Sequence, residues 1–120
     1  MKRDMDFVRD LLIKIADEDI DGIDLEDEKV IYHLEMLHTQ GFVKGVIVDS
    51  TMDGMFCLWH SPRLTWDGNE FLDTIRPKGV WEKIKAVANE KGVGLTLESI
   101  AKIGSGVLSA LLTDRLGSLA

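Results

Sequence analysis

The sequence predicts a small α+β fold in which two helices, a β-hairpin and three further helices follow one another. Five segments carry apolar residues at three- and four-residue spacing, which is the pattern of a helix with one buried side. Another segment is rich in Val, Ile, Phe and Trp and contains Asp53-Gly54, a dipeptide that favours the tight turn of a hairpin. With 45% hydrophobic and 29% charged residues over 120 positions, the composition is that of one globular domain.

The first two helices are predicted from their apolar periodicity. Helix 1 spans Asp4 to Ala16, and helix 2 follows an acidic segment and ends at Gly41, since glycine is favoured just beyond a helix end. Each helix therefore has one side for the core. The expected buried residues are Phe7, Val8, Leu11, Leu12 and Ile15 in helix 1, and Val30, Ile31, Leu34 and Leu37 in helix 2.

Three helices follow the hairpin. Helix 3 begins near Thr65, whose hydroxyl can cap free backbone amides, and Pro77 ends it. Helix 4 lies in the segment VWEKIKAVANEKG, and the last helix runs from about Thr96 to Leu116. Aromatic side chains bury large areas, so we expect the tryptophans to anchor the core and the seam between the hairpin-containing part and the C-terminal helices. The tryptophans are Trp59, Trp66 and Trp81.

The chain is expected to divide into a module of residues 1–76 and a helical extension of residues 77–120. Apolar residues cover about half the circumference of the last helix, a wider arc than an ordinary surface helix shows. This arc predicts either packing against the module or self-association. The expected oligomer interface is Ile100, Gly104, Val107, Leu108 and Leu111.

The order of elements resembles a winged helix over residues 4 to 75. HLEMLHTQGFV leads into the first strand and RLTWDGNEFL leaves the second, which is similar to the punctuation common in that superfamily. An acidic loop takes the place of the usual short second helix. The chain more closely resembles a small bacterial and phage family described only as a domain of unknown function. The segments that carry this resemblance are KRDMDFVRDLLIKI, YHLEMLHTQGFV, RLTWDGNEFLDTIR and VWEKIK. That resemblance implies a fold and a phage or prophage setting, and no catalytic residues.

Charge is distributed unevenly along the chain. The net charge is −7, and residues 17–28, named the acidic loop here, contain eight acidic residues and no basic ones. Such a loop repels DNA phosphates. The single Cys57 excludes an intrachain disulfide, and no apolar stretch is long enough for a secretory signal or a membrane span. We therefore expect a cytoplasmic protein.

The acidic loop also matches the spacing of an EF-hand calcium loop, with candidate ligands Asp17, Asp19, Asp21 and Glu28. Against this interpretation, Asp24 occupies the eighth position, where a branched apolar residue is normal, and no second loop is present to pair with it. The alternative of a divalent-cation sensor stays open. We expect weak cation association and no specific metal site.

No residue pattern predicts catalysis or a cofactor. His33 and His38 point to different sides of their helix, and Cys57 with His60 supplies two metal-ligand positions at most. Ordinary packing histidines are the favoured interpretation. Neither Ser50 nor Ser61 has the setting of a nucleophile, and no glycine-rich phosphate loop occurs. The protein is therefore predicted to be a non-enzyme.

Helix 2 should decide the partner, because the corresponding helix of a winged helix reads DNA. Its outward residues are expected to be Glu28, Lys29, Tyr32, Glu35, Met36 and Thr39. One lysine against two glutamates holds phosphate poorly, and the wing tip DSTMDGM has no Arg or Lys. Tyr and Met suit a protein surface. We therefore predict a regulatory or adaptor protein whose partner has a basic surface and contacts Lys29, Tyr32, Met36 and Thr39. A sequence-specific DNA-binding regulator is the alternative.

Overall fold

The computed structural model describes residues 1–49 and 57–119, and it confirms the α+β fold. Within these residues the elements occur in the predicted order, with a two-stranded antiparallel hairpin between the second and third helices. The predicted Asp53-Gly54 turn lies outside the described residues. The chain forms two compact units, Met1–Leu72 and Asp73–Ala120. The elements are α1 (Met5–Ala16), α2 (Glu28–Thr39), β1 (Val43–Asp49), β2 (Cys57–Leu64), α3 (Trp66–Ile75), α4 (Lys78–Glu90) and α5 (Leu97–Leu119).

Fully buried His33 joins the start of α1 to α2. Its Nε2 accepts a hydrogen bond from the backbone N–H of Asp4 at 3.0 Å, and its Nδ1 lies 2.7 Å from the carbonyl oxygen of Lys29. Because an amide N–H only donates and a carbonyl only accepts, this geometry requires the imidazole tautomer with its proton on Nδ1. Asp4 also caps α1, since its carboxylate accepts from the N–H of Phe7 at 3.1 Å.

The core of the first unit lies where α1 packs against β2 and α2 packs against β1. The apolar periodicity predicted most of the buried residues of α1 and α2. Phe7 and Ile31 were predicted to be buried but are only half-buried, and His33, which was not predicted, is fully buried. The buried apolar residues of these elements are Met5, Val8, Leu11, Leu12, Ile15, Val30, Leu34, Leu37, Val43 and Trp59.

The hairpin contains a bulge near its base. Lys44 pairs with Arg63 and Val46 pairs with His60, so two residues of β2 stand opposite Gly45 of β1. Ser61 in this bulge has φ +49°, a left-handed conformation that side-chain-bearing residues seldom adopt.

A tight corner connects α2 to the hairpin and to α3. Gly41 ends α2 with φ +78°, as the sequence predicted, and the N–H of Phe42 bonds to the carbonyl of Leu37 at 2.9 Å. Thr65 donates from its hydroxyl to the carbonyl of Gly41 and accepts from the N–H of Gly68 at 3.1 Å, which confirms it as the cap of α3. A Cβ at Gly68 would overlap the carbonyl of Phe42.

The prediction that Trp66 anchors the core is wrong. Trp59 and Trp81 are buried, at 2% and 1% exposure, whereas Trp66 is 79% exposed. Trp66 precedes Ile75 by nine positions in α3, and at about 100° per residue this separation places the two on opposite sides of the helix. Since Ile75 is fully buried, Trp66 has to face outward.

In the second unit, α4 packs against α5. Val80, Trp81, Ile84 and Ala88 form the buried side of α4, and Ile100 of α5 is fully buried. Helix α5 runs slightly longer than predicted. No helix among the described residues combines the length and apolarity that crossing a bilayer requires.

Candidate partner-binding site

The α2 face comprises the six residues predicted to point outward, and they differ in exposure. Glu28, Glu35 and Thr39 are exposed, whereas Tyr32 and Met36 are half-buried. The hydroxyl of Thr39 donates to the carbonyl of Glu35 at 3.0 Å, so it is held by its own helix. The freely accessible charge on the α2 face is therefore acidic. The six residues are Glu28, Lys29, Tyr32, Glu35, Met36 and Thr39.

Lys29 is directed toward α1. Its Nζ lies 3.2 Å from Oδ2 of Asp4 and 4.5 Å from the centre of the Phe7 ring. The adjacent Phe7 N–H, together with Lys29, holds the pKa of Asp4 below its usual value and so favours the carboxylate. The cation predicted to contact a partner is thus already paired within the fold, although its side chain is 44% exposed.

The acidic residues of the acidic loop are exposed, and several of their carboxylates accept hydrogen bonds from neighbouring backbone. Asp19 accepts from the N–H of Gly22, Asp24 from that of Glu26, and Asp27 from that of Lys29, at distances of 3.1, 3.0 and 2.7 Å. The Asp19 bond caps a short 3₁₀ turn at Ile20–Gly22, and the Asp27 bond caps α2. Local backbone geometry thus explains part of the pattern that resembles a calcium loop.

The described part of the chain was predicted to hold no specific metal site. Residues 1–49 and 57–119 contain no group of three or more His, Cys, Asp or Glu side chains that could hold a metal ion. Asp17, Asp19, Asp21 and Glu28 are among the described residues, so the structure does not bring the calcium candidates together as a metal site. The side chain of Cys57 lies outside the described side chains, and so does Ser50.

Trp66 is a candidate binding residue that the sequence interpretation missed. It follows Thr65, which bonds to both Gly41 and Phe42, so it lies at the corner where α2 ends. Tryptophan is enriched among residues that dominate binding energy, and one exposed to 79% is unusual. The nine-residue separation between Trp66 and Ile75 on one helix was the sequence signal that could have predicted the exposure of Trp66. The wing tip DSTMDGM lies almost wholly outside the described residues.

The predicted oligomer interface on α5 changes in exposure along the helix. Ile100 and Gly104 are buried, and a Cβ at Gly104 would lie 3.3 Å from Thr74 Cγ2 and 3.4 Å from Ile84 Cδ1. Val107 and Leu108 are half-buried, and Leu111 is 48% exposed. Only the later part of the proposed interface is therefore accessible to another chain.

The fold and these surfaces define a small α+β protein with an acidic N-terminal half. A model of the family described as hypothetical protein DUF2513 matches residues 2–94, and the chain belongs to that family. It is similar to an uncharacterized protein of Haemophilus influenzae strain Rd, with 29% identity over 120 residues, covering 93% of this chain and 99% of that protein. No solved structure matches.

Proposed function

We propose that this chain is a non-catalytic regulatory or adaptor protein that docks on a protein partner with a basic surface. The observation that carries the proposal is Trp66, which presents 79% of its surface to solvent in the same unit as the acidic loop. An exposed indole supplies a large apolar anchor, and the eight acidic residues of the acidic loop attract a basic surface. Tyr32 and Met36 extend the docking surface along α2.

The engagement of Lys29 supports a protein partner over DNA. A DNA-reading helix normally offers cations to phosphates, but Lys29 is paired with Asp4, while Glu28 and Glu35 are exposed. The acidic loop adds repulsion. A sequence-specific DNA-binding regulator is therefore the disfavoured alternative, and the wing tip offers no cation to change this preference. A phage or prophage setting and a cytoplasmic location belong to the same proposal.

The test begins with affinity capture from the native host, followed by binding measurements on the purified captured protein. Trp66→Ala is expected to weaken binding by about tenfold or more, as truncating a central tryptophan does, and Tyr32→Ala to weaken it less. Val93→Ala is a matched control, since Val93 is 46% exposed in the other unit. Binding should also shift the fluorescence of wild-type protein to shorter wavelength, and Trp66→Phe should remove that shift.

The contrary result is a specific DNA complex at moderate salt. Binding to a duplex that weakens steeply with salt and ignores Trp66→Ala would establish the DNA-binding alternative. Equal loss of partner affinity in Trp66→Ala and Val93→Ala would show that the captured protein binds elsewhere.

A further inference from the structure

We propose that the base of the hairpin binds the phosphate group of a small phosphorylated molecule. An open cavity of about 440 Å³ lies there, lined by Lys44, Gly45, His60, Ser61 and Arg63. All five residues belong to the first unit and are exposed. The volume is within the range of roughly 300–1,000 Å³ that is typical of small-molecule sites.

The bulge in β2 creates this site. Side chains three positions apart on a regular strand point to opposite faces of the sheet. His60 and Arg63 are three positions apart, yet their partners in the β1 register, at positions 46 and 44, are only two apart. The extra residue in β2 thus brings His60 and Arg63 to the same side as Lys44. The left-handed backbone of Ser61, φ +49°, accompanies this arrangement.

Lys44 and Arg63 form a like-charge pair. They stand directly opposite each other on antiparallel strands, where side chains are near neighbours and equal charges repel. Within the described residues, neither side chain has an ion-pair or hydrogen-bond partner. Glu18 lines a neighbouring groove together with Arg63, but the two are not bonded. An anion between the two cations would convert the repulsion into attraction.

The chemistry of the lining favours a phosphate monoester. Arg63 and Lys44 supply charged N–H donors to a tetrahedral dianion, and His60 and the hydroxyl of Ser61 offer further donors. Glycine at position 45 lets the bulged backbone of β2 approach β1 closely. A Cβ there would lie 3.2 Å from both the carbonyl oxygen of His60 and Pro62 Cα, tighter than ordinary contact.

The experiment is a titration of the full-length protein with inorganic phosphate, followed by amide chemical shifts, in sodium chloride of matched ionic strength. We expect saturable shifts at residues 44–45 and 60–63, with a dissociation constant below about 1 mM at low salt. Lys44→Met and Arg63→Gln should each weaken binding by about tenfold, since each removes a charge-assisted hydrogen bond. Lys83→Met, which removes the charge of an exposed lysine of α4, should change affinity less than about twofold.

Absence of saturation at residues 44–45 and 60–63 overturns the proposal, and so does equal weakening by Lys83→Met. Intact far-ultraviolet circular dichroism of each variant excludes unfolding as the cause of lost binding. Glucose 6-phosphate and a short DNA duplex form separate arms of the titration. Duplex binding through Lys44 and Arg63 that exceeds binding of the sugar phosphate would assign the site to nucleic-acid backbone and refute a small-molecule ligand. Neither result requires the partner that is proposed to dock through Trp66.

Discussion

Replacing His33 by alanine should destabilise the protein far more than replacing His38. The two histidines lie on the same helix, but His33 is fully buried and bonded to Asp4 and Lys29. His38 is exposed, with Nδ1 3.2 Å from the carbonyl oxygen of Val43 and its ring edge-on to Trp59. The pair is therefore a matched comparison of one side-chain type in two environments.

The magnitude follows from what His33→Ala removes. The N–H of Asp4 loses its acceptor, which costs about 1–3 kcal/mol for a buried donor and about 1 kcal/mol for this partly buried one. The ring also contacts Phe7 and Tyr32, at centroid distances of 4.9 and 5.2 Å. Loss of these contacts and the resulting cavity add about 1–3 kcal/mol. The free energy of unfolding should fall by about 2–4 kcal/mol in total, compared with about 1 kcal/mol or less for His38→Ala.

Urea denaturation of the three proteins measures this difference. A His33→Phe variant separates the hydrogen bonds from the packing, because it retains an aromatic ring. Hydrogen exchange provides a local measurement: the amide of Asp4 should be protected in the wild type and in His38→Ala, and should lose protection in both His33 variants. Equal destabilisation by His33→Ala and His38→Ala, with the Asp4 amide unchanged, would refute the assigned hydrogen bond.

Three further predictions concern α1, the acidic loop and α5. Asp4→Ala should lower the free energy of unfolding by about 1 kcal/mol at neutral pH. The folded pKa of Asp4 lies below its ordinary 3.8, so its stabilisation is present above pH 3.8 and is lost as the pH falls through the folded value; urea midpoints measured against pH should converge in acid. Calcium should bind no tighter than about millimolar, and calorimetry on wild type and on Asp17→Asn/Glu28→Gln should agree; a micromolar site lost in the variant would establish the calcium sensor. Light scattering should report a dimer or larger species, and Leu111→Glu should dissociate it. The control Ala86→Glu, at an exposed position of α4, should leave the species intact. A wild-type protein that stays monomeric at high concentration would refute self-association.

Apolar periodicity predicted the helices because each helix has one buried side. The spacing of the apolar residues on that side is determined by the local sequence. The same reasoning identified Thr65 as a cap and Gly41 as a helix end. The binding surfaces depend on contacts between segments that are distant in the sequence, so they were harder to predict from the sequence alone. Lys29 was assigned to a partner because nothing local reveals that Asp4, 25 positions earlier, lies beside it.

The hairpin shows a second limit of sequence patterns. Strict alternation assigns His60 and Arg63 to opposite faces, and only the observed register places them together. The sequence HSPR contains no residue that predicts the bulge. A left-handed φ usually indicates glycine, but the residue that adopts it here is Ser61. Trp66 is a different case from the bulge. Its position on the side of α3 opposite Ile75 follows from the helical periodicity, so its exposure could have been predicted from the sequence.

The contact between Gly68 and Phe42 affects how sequence similarity in this family should be interpreted. Any residue larger than glycine at position 68 would force α3 away from the carbonyl of Phe42, since even a Cβ would lie within 2.9 Å of its carbonyl carbon. Within TWDG, Gly68 is therefore a steric requirement of the corner, and Thr65 supplies the cap of α3. Two proteins that share TWDG are expected to pack α3 against the end of α2 in the same way. This shared packing does not imply that they bind the same partner.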